Sequence, residues 1–146
     1  MRVGKYFKHC ISMHWQSHLY SHAFSKIQTI IPIPLHPQKH KKRGFNQAEY
    51  LAQEISTLLN IPVNTTTLTV DSTQPYEEQK YKTKEEREQT KDTTFMISNH
   101  LPKHITHVLL VDDISTTGST LNIAKKALKK HHKGLKVECF SLAQAD

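Results

Sequence analysis

Cysteine is scarce in this chain of 146 residues: there are two, Cys10 and Cys139, far apart and outside any C-x-x-C pair. That excludes a disulfide framework or a zinc ribbon built from these thiols alone, and no zinc is expected. Long apolar runs are missing too. The longest are strand-sized, so no membrane insertion is expected. Met1-Arg2-Val3-Gly4-Lys5 is followed by no apolar signal core, and the expected location is cytoplasmic. Neither an H-E-x-x-H zinc helix nor a G-x-x-x-x-G-K-[ST] phosphate loop occurs. Internal repeats and low-complexity tracts are absent as well.

What the chain does contain is positive charge. Twenty Lys and Arg against thirteen Asp and Glu give +7 at pH 7, with a pI near 9.4. Clustered charge of this sign favours anionic partners: phosphates, nucleotides or nucleic acid. Eleven histidines add to it below about pH 6.5.

Length indicates one domain over 1–146. From Tyr6 to Phe24, residues Phe7, Ile11, Trp15, Leu19 and Ala23 recur every fourth position, which predicts an amphipathic N-terminal helix within residues 1–26. Cys10, His14, His18 and His22 border that stripe. They span about 18 Å of helix, too far to share one metal ion, and read as a polar border.

Thr29 to Pro34 reads as a strand that its prolines end. A basic loop, Leu35 to Phe45, carries Lys39, Lys41, Lys42 and Arg43 and closes on Gly44. Asn46 with Glu49 forms a capping-box pattern, and the helix behind it stops at Asn60 and Pro62. A Thr-rich strand is expected from Val63 to Val70. Residues 71–92 are almost wholly polar and too long for an ordinary connection, which predicts a functional loop, a solvated helix or both, with room for a short helix from Lys84 to Lys91. After Phe95-Met96-Ile97 come a strong strand from His107 to Val111, a helix from Ser119 to His132, and a last strand from Leu135 to Leu142. Strands alternating with helices imply an α/β fold with a mainly parallel sheet flanked by helices.

One string carries chemistry: Val108-Leu109-Leu110-Val111-Asp112-Asp113-Ile114-Ser115-Thr116-Thr117-Gly118-Ser119-Thr120. A buried strand runs into two carboxylates, and a hydroxyl-rich turn then opens a helix. In a parallel sheet, ligands sit at the carboxyl ends of the strands, where this turn lies. Backbone N–H groups and the helix dipole favour an anion there, and Gly118 lets the chain approach it closely. The hydroxyls of Ser115, Thr116, Thr117, Ser119 and Thr120 suit phosphate oxygens. Asp112 and Asp113 would repel a phosphate, so they suit sugar hydroxyls, or Mg²⁺ held through water. A phosphorylated ribose satisfies both halves.

The string resembles the phosphoribosyl pyrophosphate motif of type I phosphoribosyltransferases, and among these the chain is similar to the ComF family of competence proteins. Ile31-Pro32-Ile33-Pro34-Leu35-His36-Pro37, with Lys42-Arg43-Gly44-Phe45-Asn46-Gln47, is like that family's first loop. Gln79, Thr83, Arg87 and Phe95 fall at the spacing of a second family stretch. Thr90 and Lys82 depart from it, where the family has asparagine and an apolar residue. The family's four-cysteine zinc module has no counterpart in these residues, so a short or truncated member is expected.

The resemblance implies a site. Asp112, Asp113 and Arg87 would be catalytic, and Asp112, Asp113 and Ser115 to Thr120 would bind the ribose phosphate. Lys41, Lys42, Arg43 and Gly44 would bind pyrophosphate, and the segment 71–92 around Arg87 would be a mobile loop that closes over the leaving group. The implied ligand is phosphoribosyl pyrophosphate with Mg²⁺, and pyrophosphate would leave C1′ to an incoming nucleophile. The acceptor is not legible. Serving DNA uptake in competence is one expectation; a non-catalytic factor that binds single-stranded DNA or a competence helicase is another. A nucleobase-salvage enzyme and a sensor that binds the sugar phosphate without turnover also stay open.

Overall fold

The computed structural model describes residues 24–73, 95–115 and 118–144. The elements run β1 (Thr29–Pro32), α1 (Pro37–Arg43), α2 (Gln47–Leu59), β2 (Leu68–Val70), β3 (Phe95–Ile97), β4 (His107–Ser115), α3 (Ser119–His131) and β5 (Lys136–Gln144). A single 3₁₀ turn, Phe24–Lys26, precedes β1.

An unbroken apolar run is what a strand needs when both of its faces are covered. Val108, Leu109, Leu110 and Val111 have no solvent exposure at all, and β4 is the central strand of a parallel sheet ordered β1-β4-β5. Successive side chains point to opposite faces. Val108 and Leu110 pack with Ile31 and with Leu121, Ala124 and Leu128 of α3. Leu109 and Val111 pack with Ile30, with Phe140, and with Leu51, Ala52 and Ile55 of α2. The two helices therefore clamp the sheet from either side.

The outer edge of β1 is extended by one parallel bridge, Ile30 to Val63, with Ile30 N donating to Pro62 O at 2.9 Å and Asn64 N to Ile30 O at 2.8 Å. The expected strand from Val63 to Val70 is thus cut in two. Asn64 Oδ1 accepts from the N–H groups of Thr66 and Thr67 at 3.0 and 2.9 Å, a side-chain turn that breaks the extended run. Only Leu68–Val70 remains a strand. It pairs antiparallel with β3 in a second sheet, whose Leu68 and Phe95 cover the α3 side of the core.

The basic loop expected from Leu35 to Phe45 contains a helix instead. Pro37 stands at the first turn, where its missing N–H costs nothing, and His36 Nδ1 accepts from Gln38 N at 3.3 Å. Gly44, at φ +80°, ends the helix and donates its N–H to His40 O. The predicted N-terminal helix before Phe24, and most of the polar segment 71–92, lie outside the described residues.

The central role of β4 predicts the cost of hollowing it. Leu110→Ala should lose about 2–5 kcal/mol in urea unfolding. Leu58→Ala, at a position 53% exposed on α2, should stay within about 0.5 kcal/mol of the parent.

Candidate functional site

At its carboxyl end β4 outruns β1. Pro32 pairs with Val111, whereas Asp112, Ile114 and Ser115 continue alongside Ser141, Ala143 and Gln144 of β5. The carboxylates therefore do not follow the strand, as expected, but belong to it. Although adjacent residues of a strand leave it toward opposite faces, the two carboxyl groups at this strand end stay close enough to interact.

Asp112 is buried, at 8% exposure, while Asp113 is half-buried. Asp112 Oδ1 accepts the N–H of Asp113 at 2.9 Å. Burial, then the adjoining carboxyl and charge of Asp113, push the Asp112 carboxyl up to about 7. The Asp113 N–H and the Lys39 ammonium act in the opposite direction.

Lys39 is the residue that sequence spacing did not single out for the site. It is half-buried on α1, whereas Lys41, Lys42, Arg43 and Gly44 are exposed. Burial and Arg43 lower its pKa, while Asp113 and Asp112 raise it. Lys39 and Arg43, one helical turn apart, share a face. The available signal was that four-residue interval, but it has meaning only once the segment is known to be helical.

The arm bearing these cations is pinned at its base. Asn46 Nδ2 donates to Ile33 O at 3.0 Å, and its Oδ1 accepts from Ala48 N at 3.0 Å as the N-cap of α2. One side chain thus ties the end of β1 to the start of α2, and residues 34–45 project from that tie. Arg43 Nη1 donates to Gln47 Oε1 at 3.1 Å, which holds the guanidinium against the arm.

Across the edge, Gly118 opens α3 at φ +71°, a left-handed conformation that a side chain would strain. As N-cap it offers no side-chain acceptor to the first turn, and the dipole of α3 favours an anion at this end. Ser119 is exposed and Thr120 half-buried in that turn, and Ser115 is the last residue of β4. Thr116, Thr117 and Arg87 lie outside the described residues. The structure therefore joins the aspartates, Lys39 and the start of α3 along one edge.

Residues 5–145 match the Phosphoribosyl transferase domain. The chain belongs to that family, as a ComF-type member. It is 34% identical to Competence protein F of Haemophilus influenzae over 110 residues, covering 75% of this chain and 48% of that protein. Identity to Competence protein ComFC of Bacillus subtilis is 30%, over 86% of this chain and 50% of that one. DNA utilization protein YhgH of Escherichia coli is 31% identical, over 76% and 48%. The ComF-type chain thus spans about half the length of the curated relatives it matches. Purine phosphoribosyltransferase from Pyrococcus horikoshii superposes with a TM-score of 0.51 at 18% identity, covering 89% of this chain and 66% of that one. That likeness shows a shared type I phosphoribosyltransferase fold.

The buried Asp112 sets a pH dependence in this ComF-type chain. Its folded pKa, about 7, lies above the ordinary 3.8, so unfolding releases a proton between those values. Stability contributed here falls as pH rises through that window, and the full penalty is present above about 7. Asp112→Asn should therefore be more stable than the parent at pH 8, with the gain shrinking toward pH 4. Paired urea melts at several pH values would check it.

Proposed function

We propose that this chain binds Mg²⁺-phosphoribosyl pyrophosphate at the carboxyl edge of its parallel sheet and acts as a phosphoribosyltransferase-like protein serving DNA uptake. The observation that carries this is one arrangement: two carboxylates on β4 between a cationic arm and the glycine-capped start of α3. A 5′-phosphate would take the first-turn amides of α3 with Ser119 and Thr120. The ribose hydroxyls would face Asp112 and Asp113, and pyrophosphate would lie toward Lys39, Lys41, Lys42 and Arg43.

The aspartates also fit a magnesium ion. A buried carboxyl held up by its neighbour gains from added positive charge, and hard oxygen donors suit this ion. Mg²⁺ held through water would supply charge that neutralises the pyrophosphate oxygens. The protein's own part is positioning and electrostatics: it fixes the ribose, and the arm's cations stabilise charge as the C1′–O bond breaks. An acceptor's lone pair forms the new bond at C1′. The family pattern supports a role for Arg87 at the leaving group. The role in DNA uptake rests on the names of the competence and DNA utilization relatives.

Calorimetric titration with phosphoribosyl pyrophosphate and Mg²⁺ tests the proposal. The parent should bind saturably, and Asp112→Asn/Asp113→Asn should weaken binding by about tenfold or more. Absence of binding to the folded parent would refute it. Saturable binding by the parent that the variant loses would justify screening acceptors for pyrophosphate release.

A further inference from the structure

At the far end of α3, histidines from two parts of the chain come together. His131 is the last residue of the helix and His132 its C-cap. The His132 N–H donates to Leu128 O at 3.0 Å, and Leu135 N donates to His132 O at 3.2 Å. That turn is held on both sides, with Leu135 buried behind it. His100 arrives on the loop after β3. Its neighbour Leu101 is buried in the core cluster that includes Leu121, Ala124 and Leu128, so the loop is anchored against the same helix. Centre to centre, the His100 ring lies 5.5 Å from that of His132 and 6.4 Å from that of His131.

Ring packing accounts for the contacts but leaves one atom unexplained. Among the described residues, His132 Nε2 is buried and has no hydrogen-bond partner. Such a nitrogen forfeits the hydrogen bond it would make with water. Burial, then the charges of His100 and His131, hold the His132 ring below the usual histidine range, which keeps it neutral at pH 7 with a lone pair to donate. Geometry then selects a pair. An ion about 2.0–2.1 Å from one nitrogen of each ring, at a tetrahedral angle, sets two imidazole centres roughly 5 Å apart. His100 and His132 need little adjustment to meet that distance, and His100 is exposed and can turn a nitrogen toward its neighbour. His131 stands further off. Among the described residues no three histidine, cysteine or acidic side chains can hold an ion together, so two protein ligands are what this end of the helix offers.

We infer that His100 and His132 form a site for a divalent transition-metal ion of the zinc or copper class, with water in its remaining positions. Ligand chemistry chooses the ion: imidazole suits zinc and copper, whereas magnesium takes oxygen donors. The site needs neither cysteine, and it does not rest on the phosphoribosyl reading. Lys129, Lys130 and Lys133, exposed around the helix end, oppose any cation there. With two protein ligands and that opposing charge, the ion exchanges readily, unlike one closed in by four ligands. Its effect is a cross-link. His100 follows a strand of the second sheet and His132 ends a helix packed on the parallel sheet, so an ion bound only by the folded chain stabilises their contact.

Calorimetric titration of the metal-stripped chain with ZnCl₂, and separately with CuCl₂, reads the site. His100→Gln and His132→Gln should each weaken binding at one site by about tenfold or more, and the double variant should bind one equivalent fewer than the parent. His40→Gln/His104→Gln removes two exposed histidines elsewhere and should bind as the parent does. Asp112→Asn/Asp113→Asn should also keep this equivalent, which separates it from any ion at the sheet edge. Zinc should raise the parent's melting temperature by more than that of His100→Gln/His132→Gln. Because His100 is exposed, its single variant tests the site even where a change at His132 disturbs the fold. Undiminished zinc and copper binding by His100→Gln, an equal loss in His40→Gln/His104→Gln, or no binding by the folded parent would overturn the inference.

Discussion

The double burial of β4 is the constraint on which the rest depends. A strand paired on both edges and covered on both faces has its backbone groups satisfied and its side chains packed, so it cannot shift without dismantling the core. Its continuation beside β5 then fixes where Asp112 and Asp113 stand. Asp112 is carried to a place where its charge is poorly solvated, and the protein holds it there through neighbours rather than through water. The result is a carboxyl poised near neutrality by its position in the sheet.

That position gives the arm at residues 34–45 its meaning. A bare pair of adjacent carboxylates is an unfavourable arrangement, and the lysine that offsets it electrostatically is Lys39. Lys39 in turn stands beside a like charge, with Arg43 one turn away. Each group is strained electrostatically in a way that an anion and a divalent cation bound together would relieve. Asn46 keeps the arm close enough for this to matter, since it bonds both to the end of β1 and to the first turn of α2. An open edge carrying charge of both signs suits a ligand that is itself a metal-bound polyphosphate.

Much of the fold was legible because its decisive segments are locally patterned. Val108 to Val111 could only be a buried strand, and the spacing of Leu51, Ala52 and Ile55 and of Leu121, Ala124 and Leu128 placed a core face on each flanking helix. The departures have specific causes. Residues 37–43 contain no apolar stripe, so periodicity could not reveal a helix made by Pro37 at its first turn and Gly44 at its end. The Thr-rich run after Val63 had strand composition, yet the Asn64 side chain competes for the very amides a longer strand would need. At the site, the string through Gly118 and Ser119 was visible, but the choice among the arm's cations was not. Lys41, Lys42 and Arg43 were the obvious cluster, while Lys39 lies closest in effect to the aspartates.

The sequence by itself determined the fold class and most of the strands and helices, and it marked the string from Val108 to Thr120 as the segment with chemistry. These follow from periodicity, turn chemistry and residue type, all of which act over a few positions. Only the tertiary structure decided which carboxylate bears the burial and which lysine acts on it. Those outcomes depend on Lys39 of α1 being brought beside Asp112 and Asp113 of β4. Coulombic and desolvation energies are set by distance in space, which spacing along the chain does not encode.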